Sequence, residues 1–150
     1  MSGGDEPAVA TVWSDKERAF VAAFESCELA NEAFRHRDHV HLAWLYLGCE
    51  PLLRAIERFV SGLKRFAAHH GAPDLYHETI TWAFLLLIQD RRGRAGGGGT
   101  FAEFELRNPD LFAKDVLKRF YRQETLGSKL ARRSFVFPDR IGDGQTARLG

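Results

Sequence analysis

The chain has 150 residues, of which 45% are hydrophobic and 27% are charged, a composition typical of one ordinary globular domain. The 21 lysines and arginines nearly balance the 20 acidic residues, and the net charge of +1 argues against nucleic acid or a membrane surface as a partner. The N-terminus has no secretion-signal pattern and the longest apolar run, residues 83–88, is too short to cross a bilayer, so we expect a cytoplasmic monomer or homodimer.

The N-terminal third of the chain contains two helical patterns. Ser14 followed by Glu17 forms a capping-box sequence and predicts a helix start, and apolar residues at helical spacing extend this first helix to about Phe34. Asp38 is a suitable N-cap for a second helix that ends at Cys49. Because residues 42–47 are apolar on nearly every face, the second helix is predicted to be central and buried.

Two further helices are predicted before the glycine-rich stretch. Pro51 suits the first position of an amphipathic third helix, and Gly71 is a typical residue just beyond its end. Residues 75–88 are again apolar on most faces and predict a second central helix. Residues 93–99 lack the lysine and hydroxyl residue of a phosphate-binding loop, so we interpret them as a spacer.

The C-terminal third predicts shorter elements. Thr100 with Glu103 forms another capping-box sequence, and Asn108 followed by proline predicts the start of a further helix that reaches the apolar residues up to 120. Residues 123–132 predict one more short helix, and residues 135–138 an extended segment.

These patterns contain no internal repeat and no alternation of strands with helices. They predict an all-α, single-domain bundle of five to seven helices with two buried central helices. The domain is expected to span residues 13–140, between disordered tails at residues 1–12 and 141–150.

Three of the six histidines fall near the starts of the two central helices. If Asp38 and Asp74 are N-caps, His39 is the first residue of one helix and His77 the third residue of the other, with His36 close by. The positive end of a helix disfavours imidazolium, so neutral rings with free lone pairs are expected there. Three imidazoles from two helix starts predict a site for a divalent transition metal such as iron, copper or zinc.

Glu78 completes the predicted site. It is a candidate fourth metal ligand or general base, and Tyr76 is the second candidate catalytic residue because a tyrosine can present its hydroxyl at a pocket. Glu32, four residues before His36, is a further carboxylate that helical spacing would place nearby. Two helix starts aimed at one point also attract anions, so the predicted substrate is a small anionic molecule.

The stretches 34–44 and 75–81 resemble a widespread family of small bacterial helical proteins. The shared pattern is His-x-x-His-hydrophobic followed by Tyr-His-Glu-Thr-hydrophobic-Thr, and the resemblance extends over residues 20–140. It brings no established activity with it. It implies that the recurring pattern includes the residues His36, His39, Tyr76, His77, Glu78 and Thr79.

Three functions follow from these residues. The first is a mononuclear metal-dependent enzyme, oxidative or hydrolytic, with His36, His39, His77 and Glu78 at the metal. The second is a non-catalytic small-molecule binding or interaction module in which the same residues form a buried hydrogen-bond network. The third is metal-free acid/base catalysis by His77 and Glu78. A separate basic stretch, typical of a solvated helix face or an anion contact, comprises Arg122, Lys129, Arg132 and Arg133.

Overall fold

The computed structural model describes residues 12–140, which form seven α-helices and no β-strand. The α-helices are α1 Asp15–Glu25, α2 His36–Cys49, α3 Leu52–His69, α4 Glu78–Arg94, α5 Phe101–Arg107, α6 Gln123–Leu126 and α7 Lys129–Arg133. Short 3₁₀ helices lie at Asn31–Ala33, Pro73–Leu75, Pro109–Phe112 and Val116–Arg119. The predicted all-α bundle is confirmed. The predicted tails lie outside the described residues, apart from Val12, and no described helix has the length and apolarity that a bilayer span requires.

Helix α2 runs through the middle of the bundle. Every residue from 42 to 48 is buried, as the apolar sequence predicts, and α3 and α4 both pack against this helix. A second, smaller core forms on another side of α4, where Val116, Leu117 and Tyr121 pack against Phe84 and Leu87. Helix α4 therefore connects the main core to the C-terminal third of the chain.

The first helix is shorter than its periodicity predicts. The capping box of Ser14 and Glu17 is present, but α1 ends at Glu25 rather than near Phe34. Cys27 adopts a left-handed backbone with φ 63°, a conformation that non-glycine residues seldom adopt and that stops the helix. Phe34 is buried from the loop that follows, although Ala30 is exposed, so the end of the periodic pattern reaches the core without a helix.

The observed bounds of the two middle helices, α3 and α4, agree better with those predicted from the sequence. Helix α3 ends at His69, and Gly71 is left-handed with φ 75°, as predicted for the residue beyond a helix end. Helix α4 begins later than predicted and runs on past residue 88 to Arg94. Its last turns are held by ion pairs of Arg94 with Asp90 and of Arg91 with Asp110, the second of which depends on a distant segment.

The predicted helix after Asn108 is replaced by two 3₁₀ helices. The Asn108 amide donates to the Phe104 carbonyl, so this side chain caps the end of α5 instead of starting a new helix. Ala113 is extended and separates the two 3₁₀ helices. The predicted helix at residues 123–132 is likewise divided, because the Ser128 hydroxyl accepts from the backbone N–H of Ala131 and starts α7 anew.

A glycine sets the distance between α1 and α3. Gly62 is buried in the middle of α3, and a Cβ atom added there would lie 2.8 Å from Cε2 of Phe24 on α1. Phe24 has no exposed surface and its ring contacts those of Phe34 and Phe66 at centroid distances of 5.0 and 5.4 Å. The ring is enclosed on several sides, so the glycine is needed for this close packing.

Gly62→Ala is expected to destabilise the protein by about 1–3 kcal/mol, because the strain of overpacking outweighs the better helix propensity of alanine. The measurement is the free energy of unfolding in urea.

The matched control is Gly93→Ala, also within a helix, where an added Cβ meets no atom within 4 Å. It is expected to stabilise the protein by roughly 0.4–1 kcal/mol through lower entropy of the unfolded chain. Equal effects of the two substitutions would contradict the packing argument.

Candidate functional site

Helix α2 begins three residues earlier than predicted. Arg35 is its N-cap, and the carboxylate of Asp38 accepts the backbone N–H of Arg35 at 3.0 Å from within the first turn. The prediction of Asp38 as N-cap is therefore wrong, because Asp38 lies at the third helical position and accepts the N–H of the N-cap residue rather than an N–H that follows it. His36 becomes the first residue of α2 and His39 the fourth.

Helix α4 begins three residues later than Asp74 would place it. Asp74 belongs to the 3₁₀ helix Pro73–Leu75, and the N-cap of α4 is His77. The Nδ1 atom of His77 accepts the backbone N–H of Ile80 at 3.1 Å. An imidazole thus performs the capping that the sequence assigned to a carboxylate.

Both ring nitrogens of His77 are engaged. While Nδ1 accepts from Ile80, Nε2 lies 2.6 Å from the Leu126 carbonyl of α6 and donates to it. Only a neutral ring protonated at Nε2 satisfies both bonds. The side chain is 7% exposed. His77 therefore joins the start of α4 to the C-terminal third and has no nitrogen left for a metal ion.

His36 and His39 lie close together at the start of α2. His36 donates from Nε2 to the Leu111 carbonyl at 2.9 Å and places its ring edge-on to Phe84. The His39 ring stacks on Phe34 with centroids 3.9 Å apart. Burial, followed by the proximity of His36, lowers the pKa of His39 to about 4, so this ring is neutral at pH 7.

Tyr76 and Glu78 form a pair beside the start of α4. The Tyr76 hydroxyl donates to Oε1 of Glu78, and burial together with this carboxylate raises the pKa of Tyr76 well above its ordinary value. The Tyr76 hydroxyl is therefore neutral at pH 7 and acts as a hydrogen-bond donor to Glu78. The catalytic roles predicted for Tyr76 and Glu78 stay predictions.

The predicted site residues surround two adjoining cavities. The larger, of about 740 Å³, is lined by His36 and His39, and the smaller, of about 390 Å³, by His39, Tyr76 and His77. Glu78 lines neither. The residues common to both walls are Asn31, Phe34, His39, Leu63, Ile80 and Thr81. The stacked rings of Phe34 and His39 thus stand between the two cavities.

Charged side chains line the larger cavity where it meets solvent. They are exposed and comprise Glu32, Arg35, Arg37 and Lys114. Arg37 makes a two-pronged ion pair with Glu105, with both N–O distances 2.9 Å. Arg35 and Lys114 form no ion pair with another described residue, so the opening carries two unpaired cationic groups beside the Glu32 carboxylate.

The predicted metal ligands do not converge. Among residues 12–140, no three His, Cys, Asp or Glu side chains are placed to hold a metal ion. His77 uses both nitrogens in backbone hydrogen bonds, and Glu78 is turned toward Tyr76. The metal site stays a prediction that this geometry does not support.

Sequence reasoning missed several lining residues. Lys114 reaches the opening only through the fold of residues 108–120, and no local pattern marks it. Phe34, which the helical spacing places at the end of the first helix, lies beyond that helix and stacks on His39. Thr81 lies one turn after His77, and its hydroxyl donates to the His77 carbonyl at 2.7 Å.

The chain matches no established protein family, no curated protein and no solved structure. The resemblance of residues 34–44 and 75–81 to a bacterial helical family therefore stays a prediction.

His77→Ala is expected to destabilise the protein by about 1–3 kcal/mol, because the Leu126 carbonyl and the Ile80 N–H lose a buried partner. The exposed His69, changed to alanine, serves as control and is expected to cost little. Urea unfolding and metal analysis are made on the same untagged samples. A metal content that falls in His77→Ala while its stability is unchanged would favour the metal-ligand interpretation.

Acid is expected to destabilise the protein through His39. Between pH 6.5, the ordinary imidazole value, and about 4, the unfolded chain binds a proton that the folded protein does not. The free energy of unfolding therefore falls as the pH drops through this window, by about 2 kcal/mol between pH 7 and pH 5 at 1.36 kcal/mol per unit. Below about 4 this contribution stays constant.

The test compares urea unfolding at pH 7 and pH 5 for the wild type and His39→Phe, which keeps a ring against Phe34 and cannot titrate. His69→Phe is the control on an exposed histidine. We expect His39→Phe to lose less stability than either of the other two proteins. Equal losses in all three would contradict the assignment.

Proposed function

We propose that this protein binds a small molecule that combines an apolar body with one anionic group. The proposed site is the cavity of about 740 Å³ between the starts of α2 and α4. This volume is within the range of known ligand pockets, which are mostly apolar with a few polar groups at fixed positions. The single observation that supports the proposal is that this cavity has apolar walls and a cationic opening.

The walls of the cavity are apolar. Three of the α4 residues on them are Phe84, Leu85 and Ile88, and α3 contributes Phe59 and Leu63. An apolar ligand group that packs against them is removed from water, which stabilises binding by about 25 cal/mol for each Å² of apolar surface buried. Binding through this surface requires no metal and no reactive residue.

The opening favours a negative charge. Arg35 and Lys114 lie there without a carboxylate partner, and Arg37 is already paired with Glu105. His39 is neutral at pH 7 because of its low pKa, so it adds no charge but offers a hydrogen-bonding ring. A carboxylate or similar group at the opening would pair with the two cations while its apolar part lies inside.

The hydrogen bonds favour a binding module over a metal-dependent enzyme. His36 and His77 donate to backbone carbonyls of Leu111 and Leu126, and His77 also caps α4. A mononuclear enzyme with His36, His39, His77 and Glu78 as ligands would require His77 to give up one of its two bonds, because a metal ion takes one ring nitrogen. The competing function predicts bound metal in the purified protein.

The test is displacement of the uncharged fluorophore N-phenylnaphthylamine by decanoate and by decanol, which has the same chain without the charge. We expect decanoate to displace the probe at lower concentration. Lys114→Gln is expected to weaken the binding of decanoate by about five-fold, which corresponds to one exposed ion pair of about 1 kcal/mol. The binding of decanol is expected to be unchanged.

Two control variants complete the experiment. Lys129→Gln removes an exposed lysine of α7 that does not line the cavity, and it is expected to change nothing. Ala43→Leu adds bulk to the buried wall and is expected to weaken the binding of both ligands. Thermal melting verifies that this variant is folded. Equal displacement by decanoate and decanol, or no probe binding by the folded wild type, would overturn the proposed function.

A further inference from the structure

Three cationic side chains surround an open concavity on another part of the surface. Lys64 of α3 lies on one side, and Arg132 and Arg133 of α7 lie on the other. The concavity has a volume of about 700 Å³, and its remaining lining residues are Pro73, Asp74 and Tyr76. Residues far apart in sequence thus bring three positive charges and one negative charge to one place.

These cations have no carboxylate partner. None of the ion pairs formed among residues 12–140 includes Lys64, Arg132 or Arg133. By contrast, Arg58 and Arg91 each pair with an acidic side chain. The Asp74 carboxylate lines the concavity without neutralising the cluster, which keeps a net positive charge.

Two of the cations are held in position by neighbouring groups. Arg132 donates from one terminal nitrogen to the carbonyls of Asp74 and Tyr76 at 2.8 and 3.4 Å. The Lys64 ammonium lies 4.9 Å from the centre of the Tyr76 ring, within cation–π distance. Because these side chains are already ordered, an anion that binds them loses little of its binding energy to ordering them.

We infer that this concavity binds a phosphate group. A planar guanidinium presents paired N–H donors that match phosphate oxygens, and a lysine ammonium adds a compact point charge. One local carboxylate and a net charge of only +1 for the whole chain disfavour a polyanion such as nucleic acid. The expected ligand therefore carries a single phosphate group and is either free phosphate or a small phosphorylated molecule.

This inference is independent of the proposed function. Lys64, Arg132 and Arg133 do not line the larger cavity, and none of its cationic residues lines the concavity. The two sites come nearest at Tyr76, which lines the concavity and the smaller cavity of about 390 Å³. Either site can fail its test without consequence for the other.

The experiment is a ¹H–¹⁵N NMR titration of the full chain at low ionic strength, with inorganic phosphate and with phenyl phosphate as probes. We expect saturable shifts at Lys64, Tyr76 and Arg133. Lys64→Gln and Arg133→Gln are each expected to weaken binding by about five-fold, the effect of one exposed charge pair. Neither side chain makes a hydrogen bond to the backbone of residues 12–140, so both variants are expected to fold.

The control is Lys129→Gln, on the same short helix α7 but outside the concavity. It is expected to leave phosphate binding unchanged. If the three variants weaken binding equally, or if the wild type shows no saturation by about 20 mM phosphate, the inference is overturned. Where binding is seen, the tighter of the two probes shows whether free or esterified phosphate is the better ligand.

Discussion

Side chains at the starts of α2 and α4 satisfy the backbone of the irregular C-terminal third, and the rest of the structure depends on these bonds. His36 donates to the Leu111 carbonyl and His77 to the Leu126 carbonyl. Thr79, which has no exposed surface, donates to the Ser134 carbonyl and accepts the Val136 N–H. Short 3₁₀ turns leave such groups without helical partners, and a buried group without a partner is costly.

The same bonds limit the chemistry of the cavities. A histidine that holds a backbone carbonyl has one nitrogen fewer for a ligand, and His77 has none. The cavity walls keep their apolar surface, the neutral ring of His39 and the charges at the opening. This combination is suited to selective binding, in which shape and charge decide the ligand, more than to bond breaking.

Local signals predicted the helix starts that depend on near neighbours. Both capping boxes, at Ser14 and at Thr100, are present because their partners lie three residues away. Asp38 and Asp74 show the limit of such reasoning. Aspartate also favours a helix start from the third helical position, as Asp38 does, and His77 takes the cap of α4 because the fold brings Leu126 to the other side of its ring.

The sequence by itself determined the all-α class, the burial of α2 and the nearness of His36 and His39, because these follow from periodicity and short spacing. It also marked His36, His39, Tyr76 and His77, which line the two cavities. Only the tertiary structure decided what these residues contact. The position of a ring relative to a carbonyl 49 or 75 residues away depends on how every intervening helix packs, and no local pattern encodes it.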